Sequence, residues 1–281
     1  MSIAVKPLDG PLGCAIEGLE SNKPLSDEDF RTLHRAFVEH LAVVISDLDE
    51  SFDWLIGLGR RFGPLVPHIL DQYHHPKTPE MSIITANMEN AESRETDMPA
   101  GAFWHSDLSY KAEPADAIFL YSTEIPSDGG DTIVANMALA YETLPDATKE
   151  RIAGRTAIHK YGHGGGKAMT ALTPEQEARV PAVEHPVVRV HPVTGERALF
   201  ISPGYTVRIK DMDESESEDL LAELFEHAAK PEFHYRHQWQ RNQLVGVDNR
   251  ATMHCAVADY SEPRRMLRMI VGCTEEELKA A

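Results

Sequence analysis

Long apolar runs are missing from this chain: its 281 residues contain no stretch of 18 consecutive apolar positions, so no membrane-spanning helix is expected. Cysteine is scarce. Cys14, Cys255 and Cys273 are too few and too scattered for a disulfide framework. Positive charge is in deficit as well, with 27 Lys and Arg against 45 Asp and Glu and a net charge of −18. Nucleic acid and anionic membrane both need a basic footprint, so neither is expected as a partner. A small anionic substrate stays compatible, because local arginines can dominate a buried pocket. Residues 1–6 lack a basic region followed by an apolar one, so no secretory signal is expected. Internal repeats and low-complexity tracts are absent too. Gly164-Gly165-Gly166-Lys167 lacks the spacing and preceding strand of a phosphate loop. These absences leave a soluble protein of a reducing cytoplasm, long enough to bury a sizeable core as one large domain or two small ones.

What is present reads as strands interleaved with helices. Short strands are expected over 3–7 and 13–16, then a helix that Ser26 caps with Asp29 three residues on. Phe30, Leu33, Phe37 and Leu41 recur along it at helical spacing. Residues 41–45 read as a buried strand, and a second helix over 50–61 stops at Phe62-Gly63-Pro64. Further strands are expected over 81–87, around Trp104 and over 117–121. Gly129-Gly130 then supplies a turn that accepts positive φ before a strand over 131–134. A broken helix over 137–152 follows, then a hairpin turned at Thr194-Gly195. Beyond it lies an amphipathic helix with Leu220, Leu221, Leu224 and Phe225 on one face; the acidic run over 211–219 reads as solvated helix surface. Residues 233–239 alternate with period two, 243–247 form a strand, and Asp248-Asn249-Arg250 is a turn ahead of Thr252-Met253-His254. This order suits an α+β chain built on a two-sheet jelly roll with flanking helices. The connections over 66–80, 88–101 and 162–182 are of the kind that form active-site lids.

The stretch with the most chemical content is Trp104-His105-Ser106-Asp107. On a strand, alternate side chains share a face, so His105 and Asp107 would emerge together. They would supply two ligands of a 2-His-1-carboxylate facial triad, which holds Fe(II) and leaves the opposite positions open. The third ligand would be a distant histidine. The spacing is not distinctive by itself: with 14 histidines and 45 acidic residues in 281, chance places such a pair about twice. A lone loop histidine such as His68 is ordinarily solvated. Thr132, just after a Gly-Gly turn, either favours a strand or aims its hydroxyl at a bound carboxylate.

Five motifs in order do more. Arg61-Phe62-Gly63, Trp104-His105-Ser106-Asp107, Gly129-Gly130-Asp131-Thr132, His185-Pro186-Val187-Val188-Arg189 with His191-Pro192, and Asp248-Asn249-Arg250 before His254 and Arg265 follow one another along the chain, within a similarity that covers residues 10 to 272. In this the chain resembles the Fe(II)- and 2-oxoglutarate-dependent dioxygenases typified by taurine dioxygenase and 2,4-dichlorophenoxyacetate dioxygenase. The resemblance implies one such domain over 1–281, with a double-stranded β-helix core. It implies a cytoplasmic homo-oligomer, a dimer or tetramer, with a small-molecule substrate. It implies His105, Asp107 and His254 as iron ligands, with O2 as oxidant. Thr132 and Arg265 would hold the distal carboxylate of 2-oxoglutarate, with Arg268 of the same run beside them. 2-Oxoglutarate would leave as succinate and CO2 while the substrate is hydroxylated.

Departures from the family pattern bear on the substrate. His68 falls on a histidine that contacts the substrate's acidic group in the taurine enzyme. Phe103 replaces an asparagine, Val247 replaces a tryptophan, and Met269 stands where a substrate-binding arginine is usual, with Arg268 one place short. Phe103 and Met269 imply an apolar body on the substrate, and His68 an acidic group. Two other classes could use the same ligands or fold: a cupin-type hydrolase or isomerase on Zn or Mn, and a non-catalytic jelly-roll binding protein. Neither needs Thr132 and Arg265 as a 2-oxoglutarate clamp.

Overall fold

The computed structural model describes residues 3–86, 101–164 and 169–273. Its largest sheet runs, in spatial order, β1 (Ala4–Pro7), β2 (Cys14–Glu17), β3 (Ala42–Ile45), β14 (Leu244–Asp248), β6 (Ala115–Glu124), β16 (Arg264–Gly272), β5 (Thr78–Ala86) and β4 (His74–His75). Against it pack two three-stranded sheets. One is β13 (His234–His237), β7 (Thr132–Asn136) and β15 (Thr252–Ala256); the other is β12 (Thr206–Ile209), β8 (Thr156–His159) and β9 (Val183–Pro186). A hairpin of β10 (Val188–Val190) and β11 (Arg197–Leu199) lies alongside. The helices are α1 (Asp27–His40), α2 (Phe52–Phe62), α3 (Met137–Glu142), α4 (Asp146–Ile152), α5 (Pro174–Ala178) and α6 (Glu214–Ala228). This is the α+β jelly roll expected from the order of the elements.

The central strands of the large sheet are buried on both faces, and strand parity divides their side chains. Ile118, Leu120, Val245 and Met266 turn inward and meet Val134, Ala135 and Met253 of the smaller sheet. Phe119, Tyr121, Leu244, Leu267 and Met269 turn outward against Leu33 and Phe37 of α1 and Leu55 and Leu58 of α2. At Gly246 a Cβ would come within 2.5 Å of the Phe119 ring, so only glycine lets that ring cross the neighbouring strand. Ser26 caps α1 as expected, its Oγ accepting from Asp29 N–H at 3.1 Å. The Asp29 carboxylate does not complete a capping box. It accepts from Ile3 N–H at 3.2 Å and ties the first strand to the helix.

Two local expectations are corrected. The stretch around Trp104 is not a strand: His105 makes a single bridge with His254, and residues 107–110 form a turn. Leu108 takes a positive φ of 56° there, which ends any extended run. The hairpin expected from 185 splits in two, because β9 joins β8 and only β10 pairs with β11. The connection over 88–101 falls, except for Gly101, outside the described residues.

Candidate active site

The site begins with a backbone clamp. His105 N–H donates to His254 C=O at 3.0 Å, and His254 N–H returns to His105 C=O at 2.8 Å. Two residues on, Asp107 N–H donates to Asn249 Oδ1 at 2.8 Å, while Asn249 Nδ2 donates to Asp107 C=O at 2.9 Å and Ala115 C=O at 2.8 Å. Ser106 Oγ donates to Thr252 C=O at 2.8 Å. The turn supplying these anchors is itself rigid. Asp248, wholly buried, accepts from Arg250 at 2.7 Å and from His191 Nε2 at 3.1 Å. His105 and Asp107 therefore face the same way through pinning from one side, not through a regular strand.

His105, Asp107 and His254 converge. One ligand atom from each lies within 4.8 Å of the others, and all three residues are buried. The two imidazole centroids stand 4.3 Å apart, with His254 Nε2 3.9 Å from Asp107. His105 Nδ1 lies 2.7 Å from Phe103 C=O. A carbonyl can only accept, so Nδ1 carries the proton and Nε2 keeps its lone pair for a ligand. Burial, with His105 alongside, pushes the His254 imidazolium down to about 3. Burial also lowers His105. Burial would raise Asp107, but Arg268 and the two histidines outweigh it and hold the carboxyl at about 2. At neutral pH the site thus presents two neutral imidazoles and one carboxylate, the protonation states that bind a divalent metal. The donor set fits iron.

Strand β16 brings two arginines into this space, and they are Arg264 and Arg268. Arg268 Nη1 lies 3.4 Å from Asp107 Oδ1. Arg264, buried, reaches Thr132 Oγ1 with Nη2 at 3.5 Å, and its Nε has no partner. Arg265, expected at Thr132, is on the other side of the strand, where its charge acts on His75. Met269, expected against the substrate, is buried in the cluster under α1 and α2. Both corrections have one cause. Alternate residues share a face, so 264, 266, 268 and 270 point inward together, and the inward arginine stands ten residues after His254, not eleven. Sequence spacing pointed to the wrong register; the alternation of Met266 and Ile270 with the arginines was the signal that could have found it.

Thr132 sits on the same face of the smaller sheet as His254. Val134 pairs with His254 in the ladder, and Thr132 is two residues along from Val134. Trp239 Nε1–H also donates to Thr132 Oγ1, at 3.0 Å. Trp239 carried no functional signal in the sequence.

Beyond the histidines lies a cluster of buried apolar and aromatic side chains that includes Leu70, Tyr110, Tyr205 and Ile270, with Phe103 packed against it. The Phe103 ring lies 4.7 Å from His105 and 5.8 Å from Tyr205, seated over Gly204, where a Cβ would strike it. His68 stands at the same end. Its Nδ1 accepts from Leu70 N–H at 3.1 Å, so Nε2 carries the hydrogen. Burial and the nearby Arg268 charge push its imidazolium down to about 3. Val247, which stands where the family has a tryptophan, belongs to the inner core between the sheets.

Two imidazoles and a carboxylate inside a jelly roll, beside a buried arginine and threonine, define a 2-oxoglutarate-dependent non-haem iron dioxygenase. The model of the taurine catabolism dioxygenase TauD, TfdA family matches residues 4–270, and the chain belongs to that family. Pentalenolactone F synthase of Streptomyces arenae is 27% identical over 97% of this chain and 96% of its own. The alpha-ketoglutarate-dependent 2,4-dichlorophenoxyacetate dioxygenase of Cupriavidus pinatubonensis is 28% identical over 95% and 96%. Among solved structures, AAD-2 in complex with Mn(II) and N-oxalylglycine superposes with a TM-score of 0.82 at 29% identity, covering 98% of each chain. The protein is a dioxygenase that uses Fe(II), 2-oxoglutarate and O2 on a small organic substrate. A cupin-type hydrolase and a non-catalytic binding protein give way to that assignment. No helix among the described residues is long and apolar enough to cross a membrane.

Proposed function

We propose that this enzyme hydroxylates a small acid with an apolar or aromatic body, and that His105, Asp107 and His254 hold its iron. The observation carrying this reading is the convergence of three buried ligand atoms within 4.8 Å, with Arg268 3.4 Å from Asp107 and the aromatic cluster of Phe103, Tyr110 and Tyr205 nearby. Iron bound there supplies the activation of O2, coupled to decarboxylation of 2-oxoglutarate. The chain's own residues do the rest. Thr132 and Arg264 grip the distal carboxylate of 2-oxoglutarate, because a buried guanidinium needs an anion and a carboxylate accepts from both groups. Phe103, Tyr110 and Tyr205 exclude water and seat the substrate's apolar body, each buried methylene contributing about 0.8 kcal/mol.

Arg268 and the Nε2–H of His68 face the substrate's acid group. Arg268 now shares Asp107 at 3.4 Å, and a metal at Asp107 would free it for that task. Phe103 cannot satisfy a buried sulfonate as a polar side chain would, so taurine is a poor fit. The test is succinate release with Fe(II) and 2-oxoglutarate across taurine and a series of aryl- and phenoxyalkanoates, in wild type and His68→Ala, with products identified by mass. An arylalkanoate should turn over with one succinate per product and weaken on loss of His68. Efficient coupled turnover of taurine would sink the substrate reading, as would indifference of every acid to His68→Ala.

A further inference from the structure

A threonine hydroxyl can accept two hydrogen bonds and donate one, and at Thr132 the accepting side is already taken. Trp239 Nε1–H points at Thr132 Oγ1 from 3.0 Å. An indole N–H has no accepting capacity, so the direction of this bond is settled without seeing the hydrogen. Arg264 Nη2, equally unable to accept, approaches the same oxygen at 3.5 Å. Two donors thus press on the lone pairs. Among the described residues none accepts the hydroxyl's own hydrogen. All three side chains are buried, and Arg264 Nε beside them has no partner.

We propose that Trp239 is a positioning residue for 2-oxoglutarate: its indole N–H occupies a lone pair of the Thr132 hydroxyl and turns that hydroxyl's hydrogen towards the distal carboxylate. The inference rests on the reading of Thr132 and Arg264 as the cosubstrate clamp. A partner that both donates and accepts, such as serine or glutamine, would let the hydroxyl rotate and donate back to it. A donor-only partner forbids that. The indole is held in place by its own surroundings. It stands edge-on to His237 at 4.5 Å and 88°, and His237 Nδ1 is bonded to Tyr235 Oη at 2.9 Å. Packing in the inner core fixes the rest of the ring. With Thr132 and Arg264 both presenting hydrogens, the pocket is complementary to a group that only accepts, which a carboxylate is and a carboxamide is not.

The test is calorimetric titration of the Mn(II)-loaded protein with N-oxalylglycine, which carries the same distal carboxylate and does not turn over. Trp239→Phe keeps most of the ring volume and removes the donor. It should weaken binding about three- to tenfold, the range of one neutral hydrogen bond. In a Thr132→Val background the same Trp239→Phe change should cost nothing more. A purely packing role predicts equal losses in both backgrounds, and that result, or wild-type affinity in Trp239→Phe, overturns the inference. In turnover, KM for 2-oxoglutarate should rise with kcat and the substrate KM unmoved. If Trp239→Phe does not fold, benzothienylalanine at position 239, which replaces the N–H by sulfur at the same size, gives the same comparison. Unchanged binding in Thr132→Val and Arg264→Ala would sink the clamp and this inference together; weakened binding there with none in Trp239→Phe sinks the inference alone.

Discussion

The two faces of β16 carry the same strand geometry and opposite work. Inward lie Arg264, Met266, Arg268 and Ile270, two of them charged, beside Thr132, Asp107 and the aromatic cluster that includes Tyr110 and Tyr205. Outward, Leu267, Met269 and Val271 are sealed beneath α1 and α2, with Arg265 at the strand's start beside His75. Charged groups almost never stay buried without a partner, so a face that holds two guanidiniums inside the barrel is a face kept for anions. The outer face holds the fold together and has no chemistry to do. The lesson is that parity on a strand, more than spacing from a neighbouring motif, decides which arginine acts.

The sharpest break between the faces comes at the metal. His105→Ala, Asp107→Ala or His254→Ala should each abolish succinate release and iron retention while leaving the far-ultraviolet circular dichroism intact, since loss of one ligand of three dismantles an open-faced site. Normal iron content and turnover in any one of them would remove that residue from the triad. On the outer face the effects should exchange places. Leu267→Ala, at 1% exposure, should cost about 2–5 kcal/mol of unfolding free energy, read by denaturant titration, with KM for 2-oxoglutarate unchanged. A large KM effect without loss of stability would mean that the two faces are not separate. The third contrast is between neighbours. Arg264→Ala should raise the 2-oxoglutarate requirement roughly ten- to a hundredfold, from loss of a charge-assisted contact of about 1.5–3 kcal/mol, whereas Arg265→Ala should change it little. The reverse ranking, in steady-state kinetics at varied 2-oxoglutarate, would restore the register that motif spacing suggests.

Much of this molecule was legible in its sequence, because local chemistry sets it. Apolar periodicity marked α1, α2 and α6, Ser26 marked the start of α1, apolar runs marked β3, β6 and β14, and period-two alternation marked β13. His105 and Asp107 could be picked out as candidate ligands because iron demands particular donor atoms; His254 was named only through the resemblance to the family. Tertiary structure alone decided the rest. His105 and Asp107 share a face because Asn249, 142 residues further on, holds Asp107 by its backbone, a contact no local pattern encodes. Arg264 and not Arg265 meets Thr132 because the length of the connection from β15 sets the register of β16, and a shift of one residue exchanges every side chain between the faces. Trp239 reads in the sequence as core and nothing more. Its role depends on an N–H brought to an oxygen 107 positions away, and only the closed sheet puts the two together.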